Sequence, residues 1–122
     1  MTVKILKNIL LSFGLFSSVS IYAQCQTGNV YTDISCYEKQ LKNDKADLNK
    51  IYNGFYASLD EEGKLILGES QQAWLDYRNK ECNGLMAYFA SESQGAGPYL
   101  ITLSCEADKT KERIKELKGY LE

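Results

Sequence analysis

Four cysteines constrain this chain more than any other feature, because Cys25, Cys36, Cys82 and Cys105 all lie downstream of a leader-like segment. Lys4 and Lys7 precede a charge-free apolar run from Ile9 to Ala23, and the first acid in the sequence is Asp33. That is the layout of a secretory signal peptide. The run covers about 15 residues, short of the roughly 20 that cross a bilayer, so removal is expected rather than a permanent span. Cleavage after Ala23 separates a signal peptide, residues 1–23, from a folded domain, residues 24–122; Ser18-Val19-Ser20 offers a second site. Gln24 before Cys25 does not suit a lipoprotein, which needs a small residue there.

An even cysteine count in an exported chain reads first as two disulfides. No CxxC pair occurs, and intervals of ten residues (25 to 36) and twenty-two (82 to 105) suit neither a zinc site nor a redox motif. Pairing Cys25 with Cys36 and Cys82 with Cys105 closes two local loops and is favoured; Cys36–Cys82 with Cys25–Cys105 stays open. Each bridge contributes about 2–4 kcal/mol. The domain needs such staples, since a chain of this size buries only about 60–70% of its unfolded surface.

The chain has no histidine. Imidazole is therefore unavailable as zinc ligand, general base or pH switch, which leans the reading away from an enzyme and from a metal or cofactor. Taking Lys4 and Lys7 from 14 basic groups leaves 12 against 16 acids, a net charge of −4 after cleavage. Such a balance offers no cationic face to a nucleic acid.

From Ile34 the large apolar residues fall at Tyr37, Leu41, Leu48, Ile51, Tyr52, Phe55 and Leu59, the steps of an amphipathic helix. Ser35 with Glu38 offers a capping box, with Thr32 and Asp33 as alternatives. After a break at 58–63, Asp60, Glu61 and Glu62 mark the start of a second helix, whose pattern is read through Leu65, Gln72, Leu75 and Cys82 and on towards Phe89. Residues 91–97, Ser-Glu-Ser-Gln-Gly-Ala-Gly, read as a loop, and Pro98 suits the first turn of a third helix carrying Leu100, Leu103, Ala107, Thr110, Ile114, Leu117 and Leu121. The expected fold is all-α, a small antiparallel three-helix bundle stapled by disulfides.

The run Gln71-Gln72-Ala73-Trp74-Leu75-Asp76-Tyr77-Arg78-Asn79-Lys80-Glu81-Cys82 resembles the signature of the LprI-type lysozyme-inhibitor N-terminal domain family. Cys25 and Cys36 stand where that family has its early cysteine pair, and Leu48-Asn49 with Tyr52 matches its Leu-Asn-x-x-Tyr step. Cys105, Thr110, Arg113 and Leu117 match its Cys-x4-Thr-x2-Arg-x3-Leu ending. The resemblance spans about residues 25–121 and implies a secreted or periplasmic helical domain with a namesake member that inhibits lysozyme. Where the family often has a Gly-Gly-Ser-like turn, this chain has the segment 91–97.

Gln71, Trp74, Leu75, Arg78, Thr110 and Arg113 are read as the structural motif. Trp74 and Arg78, four apart, share a helical face on which guanidinium and indole stack. The plain role of that pair is core and lid; a partner-binding hot spot is the alternative, with Tyr77 more exposed. Eight tyrosines remain after cleavage, explained first by packing and second by an aromatic recognition surface. The acids read as helix starts and solvated faces, and Ser and Thr have no base to activate them. The candidate partner-binding residues are Ser91, Glu92, Ser93, Gln94 and Gly95, with Tyr77 and Arg78. The partner would be a protein such as a lysozyme, with no nucleic acid and no stable membrane span. A non-inhibitory adaptor of the bacterial envelope is the competing function.

Overall fold

The computed structural model describes residues 25–122. The signal-peptide reading of residues 1–23 lies outside the described residues. Helix α1 runs Val30–Ser58 and helix α2 runs Glu61–Asn79; a π-helical segment, Lys80–Met86, and the short α3, Ala87–Ala90, prolong α2 without a break, and α4 closes the chain over Gly97–Leu121. The result is the expected bundle of three helical rods.

Local chemistry sets the ends. Asn29 caps α1, its side-chain oxygen accepting from the backbone N–H of Tyr31 and of Thr32 at 3.1 Å each, so the helix starts ahead of all the caps expected from sequence. Asp33 looks backward instead: its Oδ1 accepts from Thr27 N (2.8 Å) and Thr27 Oγ1 (2.7 Å). Those two donors hold its carboxyl below the usual range. Asp60 caps α2 by accepting from Gly63 N at 2.8 Å, which narrows the expected break to Leu59 and Asp60. Pro98 stands in the first turn of α4, where its missing N–H leaves no gap.

Helices α1 and α4 run parallel, with the α2 rod antiparallel to both, and bury two apolar clusters. One gathers Cys25, Tyr37, Leu41, Leu103 and Ala107, with Leu100 packed against it. The other gathers Leu48, Leu67 and Leu117, with Ile51, Tyr52, Phe55, Trp74 and Ile114 around them. Between Leu41 and Leu48 the inward position of α1 is Asp44, and α4 answers with Asp108, Thr110 and Lys111, so a polar waist divides the core. Burial pushes the carboxyls of Asp44 and Asp108 up, against the pull of Lys111 on both. Fully buried Thr110 is satisfied locally, donating to Glu106 O at 2.7 Å.

The disulfides are Cys25–Cys36 and Cys82–Cys105. The first ties the N-terminal stretch to α1, the second ties the π segment to α4. Both sit at the end of the bundle that carries the 91–96 connection.

The inward face of α2 differs from the sequence reading. Leu65 is 64% exposed and Gln72 is also exposed, whereas Leu67, Gln71, Trp74 and Arg78 face the bundle. Two of those four are polar: Gln71 accepts from Arg113 on α4, whereas Arg78 lies against Trp74 of its own helix. Beyond Cys82 the wider π turn changes the phase, and the covered positions continue at Ala87 and Ala90, a step of five that a regular α-helix would not align. Leu121, expected on the stripe of α4, is 51% exposed and lies at the edge of a surface groove beside Ile51 and Phe55 of α1 rather than in the core.

Candidate functional site

Trp74 stands at the meeting of α2 and α4, partly buried against the Leu48–Leu67–Leu117 cluster. Two guanidinium groups attend its ring: Arg78 Cζ is 5.2 Å from the centroid and Arg113 Cζ is 6.0 Å. Both arginines are buried, yet their situations differ. Arg113 donates from Nε to Gln71 Oε1, from NH1 to Glu116 Oε2 and from NH2 to Ser70 Oγ, each at 3.0 Å. Arg78 has one long bond, NH2 to Asn79 Oδ1 at 3.4 Å, and its buried Nε has no partner. An unpaired buried donor ordinarily costs about 1–3 kcal/mol. Gln71, Trp74 and Arg113 thus form a satisfied clamp, and Arg78 is a cation held in reserve beside it.

Arg78 opens onto a groove of about 490 Å³ between α1 and α2. Lys45, Asn49 and Tyr52 line one wall; Gly68, Gln71, Gln72 and Leu75 line the other, over Leu48. No acidic side chain lines it. A second groove of about 470 Å³ continues past Lys45 between α1 and α4. There Glu106 joins three elements, pairing with Lys45 Nζ at 3.5 Å and accepting from Asn83 Nδ2 at 2.7 Å. At the far side Tyr99 Oη donates to Glu38 Oε1 at 2.8 Å, a bond that raises the phenol pKa.

Tyr77 and Arg78, adjacent in sequence, occupy different settings. Tyr77 is 50% exposed, with Lys109 Nζ 5.3 Å above its ring, whereas Arg78 is 9% exposed. Thr110 lies inside the waist and Leu75 along the groove, both apart from Tyr77's surface.

Ser91, Glu92, Ser93, Gln94 and Gly95 are all exposed, in the connection between α3 and α4. Ser91 Oγ donates to Tyr88 O at 2.6 Å and Ser93 N to Ala90 O at 2.9 Å, so the loop leaves the helix through a tight turn. Gly95 takes φ +70°, a backbone state that favours glycine. Beside the loop, Tyr88 (72% exposed) and Phe89 (66%) meet edge to face, centroids 5.3 Å apart, with Leu85 also in solvent. The two ends are separate: the loop stands by the disulfides, and Trp74 with its groove stands beyond the waist.

Of the groove lining, Gln71, Leu75 and Arg78 are among the residues singled out from sequence, whereas the α1 wall and the exposed apolar group at 85–89 are not. Tyr52 falls on the apolar stripe of α1 and so reads as packing, and Lys45 and Asn49 are ordinary solvent-facing types on a helix. The weak helix formers Asn83-Gly84 are the local signal for the π turn that turns Leu85 and Phe89 outward.

The raised carboxyls of Asp44 and Asp108 line neither groove, all four cysteines are bridged, and among the described residues no group of three or more Cys, Asp and Glu could hold a metal ion. Among the described residues, too, no helix is long and apolar enough to cross a membrane.

The family model of "Lysozyme inhibitor LprI" matches residues 23–117. The "Uncharacterized protein YecT" of Escherichia coli (strain K12) is 30% identical over 99 residues, a match covering 70% of this chain and 60% of the relative. The chain therefore spans about 60% of the length of that curated relative. No solved structure matches. With the Trp74 signature, both cysteine pairs and the helical bundle inside the matched span, the chain belongs to the LprI lysozyme-inhibitor family.

Proposed function

We propose that this chain is a secreted or periplasmic binding protein that inhibits a lysozyme, released by removal of residues 1–23. Family membership over residues 23–117 is the observation that carries this reading. Charge supports it: the net −4 expected after cleavage favours encounter with the strongly basic surface of many lysozymes. The inhibitory element is the loop 91–97, whose short polar side chains and two glycines allow backbone to enter a narrow, carboxylate-lined cleft. Glu92 belongs at the basic rim of such a cleft, since catalytic carboxylates would repel it. Adding the purified protein to several lysozyme types and following cell-wall lysis tests the reading, and failure against every type would sink it.

A non-inhibitory adaptor of the envelope is the second reading. The exposed Leu85, Tyr88 and Phe89 favour it, because such side chains outside a core commonly mark a protein contact. An intact protein without effect on any lysozyme, yet retained by a specific envelope protein, would decide for the adaptor.

A further inference from the structure

We propose that the groove between α1 and α2 binds a carboxylate carried on an amide-rich ligand, an acidic peptide, with Arg78 as its anchor. The groove is charged against the trend of the molecule: in a chain of overall negative charge, Lys45 and Arg78 line it and no acid does. Arg78 is more than nine-tenths buried, takes part in none of the ion pairs among the described residues, and keeps an unpartnered Nε. Arg113, on the same indole, shows what a satisfied guanidinium looks like here, with three bonds of 3.0 Å. The difference between the two is a missing acceptor, and the planar fork of a guanidinium matches a carboxylate in two parallel bonds.

The remaining walls say what else the ligand carries. Asn49, Gln71 and Gln72 present side-chain amides, groups that both donate and accept and so pair with peptide units. Gln71 already accepts from Arg113 through Oε1, which fixes its orientation and leaves its NH₂ to donate. Leu48 and Leu75 offer apolar contact between these polar points. With Lys45 already paired to Glu106, one buried guanidinium among neutral amides fits a singly charged planar anion better than a phosphate, which usually gathers more cationic or backbone donors. The volume lies within the ordinary range of small-ligand sites, about 300–1,000 Å³.

The test is a titration of the isotope-labelled, oxidised protein, followed by NMR, with N-acetylglutamate and its neutral isostere N-acetylglutamine. Saturable shifts of the Arg78 Nε–H and of the Gln71 and Gln72 side-chain amides are expected with the acid, and binding at least about tenfold weaker with the isostere. Gln72→Glu, at an exposed position on the groove wall, should weaken the acid by a similar factor without touching the fold, while Gln26→Glu adds the same charge far away and should change nothing. Equal binding of the two probes, equal loss in the two variants, no saturable shift, or displacement of the acid by equimolar inorganic phosphate would each overturn the proposal. Lysozyme inhibition is not the readout, so a negative result leaves the functional reading above where it stands.

Discussion

Arg113 reaches across the bundle to Gln71, its Nε 3.0 Å from the amide oxygen, and thereby joins α4 to the middle of α2. Ser70 Oγ takes a second bond from the same guanidinium. Arg113→Ala should destabilise the protein by about 2–4 kcal/mol, because it strips half-buried Gln71 of its partner as well as removing the buried fork. Arg113→Lys should rescue little, since a single ammonium cannot serve both acceptors and Glu116 in that geometry. Urea unfolding measures both, and full rescue by lysine would show the bonds to be secondary to charge.

Trp74→Ala should damage folding before it damages any partner contact, at about 3 kcal/mol or more. The ring packs on the Leu48–Leu67–Leu117 cluster and backs both guanidiniums. Thermal unfolding by circular dichroism gives the answer; an unchanged midpoint with lost binding would move Trp74 from the core to a recognition surface.

Acid should first strengthen and then weaken the fold. Asp44 and Asp108 have raised pKa values from burial, so the folded state holds their protons more tightly than the unfolded chain, and stability rises as pH falls through those raised values. Asp33 works in the opposite sense: lowered by Thr27, it contributes stability above its unfolded pKa that is lost as pH falls through the depressed one. A maximum on the acid side of neutrality follows. Asp108→Asn should raise the melting temperature at neutral pH and lose that advantage as the native carboxyl protonates. Melting curves across the acid range decide it, and an Asn variant with a constant offset would refute the assignment.

Removing the Cys82–Cys105 bridge by paired serine substitution should cost about 3 kcal/mol and loosen residues 91–97. Hydrogen exchange in α3 and the first turn of α4 should rise sharply, with little change around Trp74. Uniform acceleration through all three rods would mean that the bridge supports the whole bundle.

Replacing residues 91–97 by a neutral Gly-Ser linker of equal length should weaken lysozyme inhibition and leave the helical spectrum intact. Full inhibition by that variant would dismiss the loop and turn attention to Tyr77 and the exposed apolar residues at 85–89.

The fold was legible where side chains advertise their position. Tyr37, Leu41, Leu48 and the stripe of α4 from Leu103 to Leu117 could be placed from spacing alone. Helix α2 could not, because its inward face is built from Gln71, Trp74 and Arg78, and a polar residue declares itself buried only once its acceptor or donor on another helix is known. The π turn was hidden for a related reason: Asn83-Gly84 marks a weak point in the helix, but the turn also carries the link from Cys82 to Cys105 and the cover over Ala87 and Ala90, which are not local. The exposed loop could be read from its small residues, while the groove depends on the distance between α1 and α2, which no single helix encodes.

The polar waist gives the molecule two territories with separate histories open to them. Mutations that alter the stapled end, with its loop and its exposed aromatics, leave the Trp74–Arg113 clamp undisturbed, so new partners can be tried without first repairing the scaffold. The clamp, for its part, is confined by the geometry of a guanidinium. A lineage built on this plan would diversify at one pole and stand still at the other.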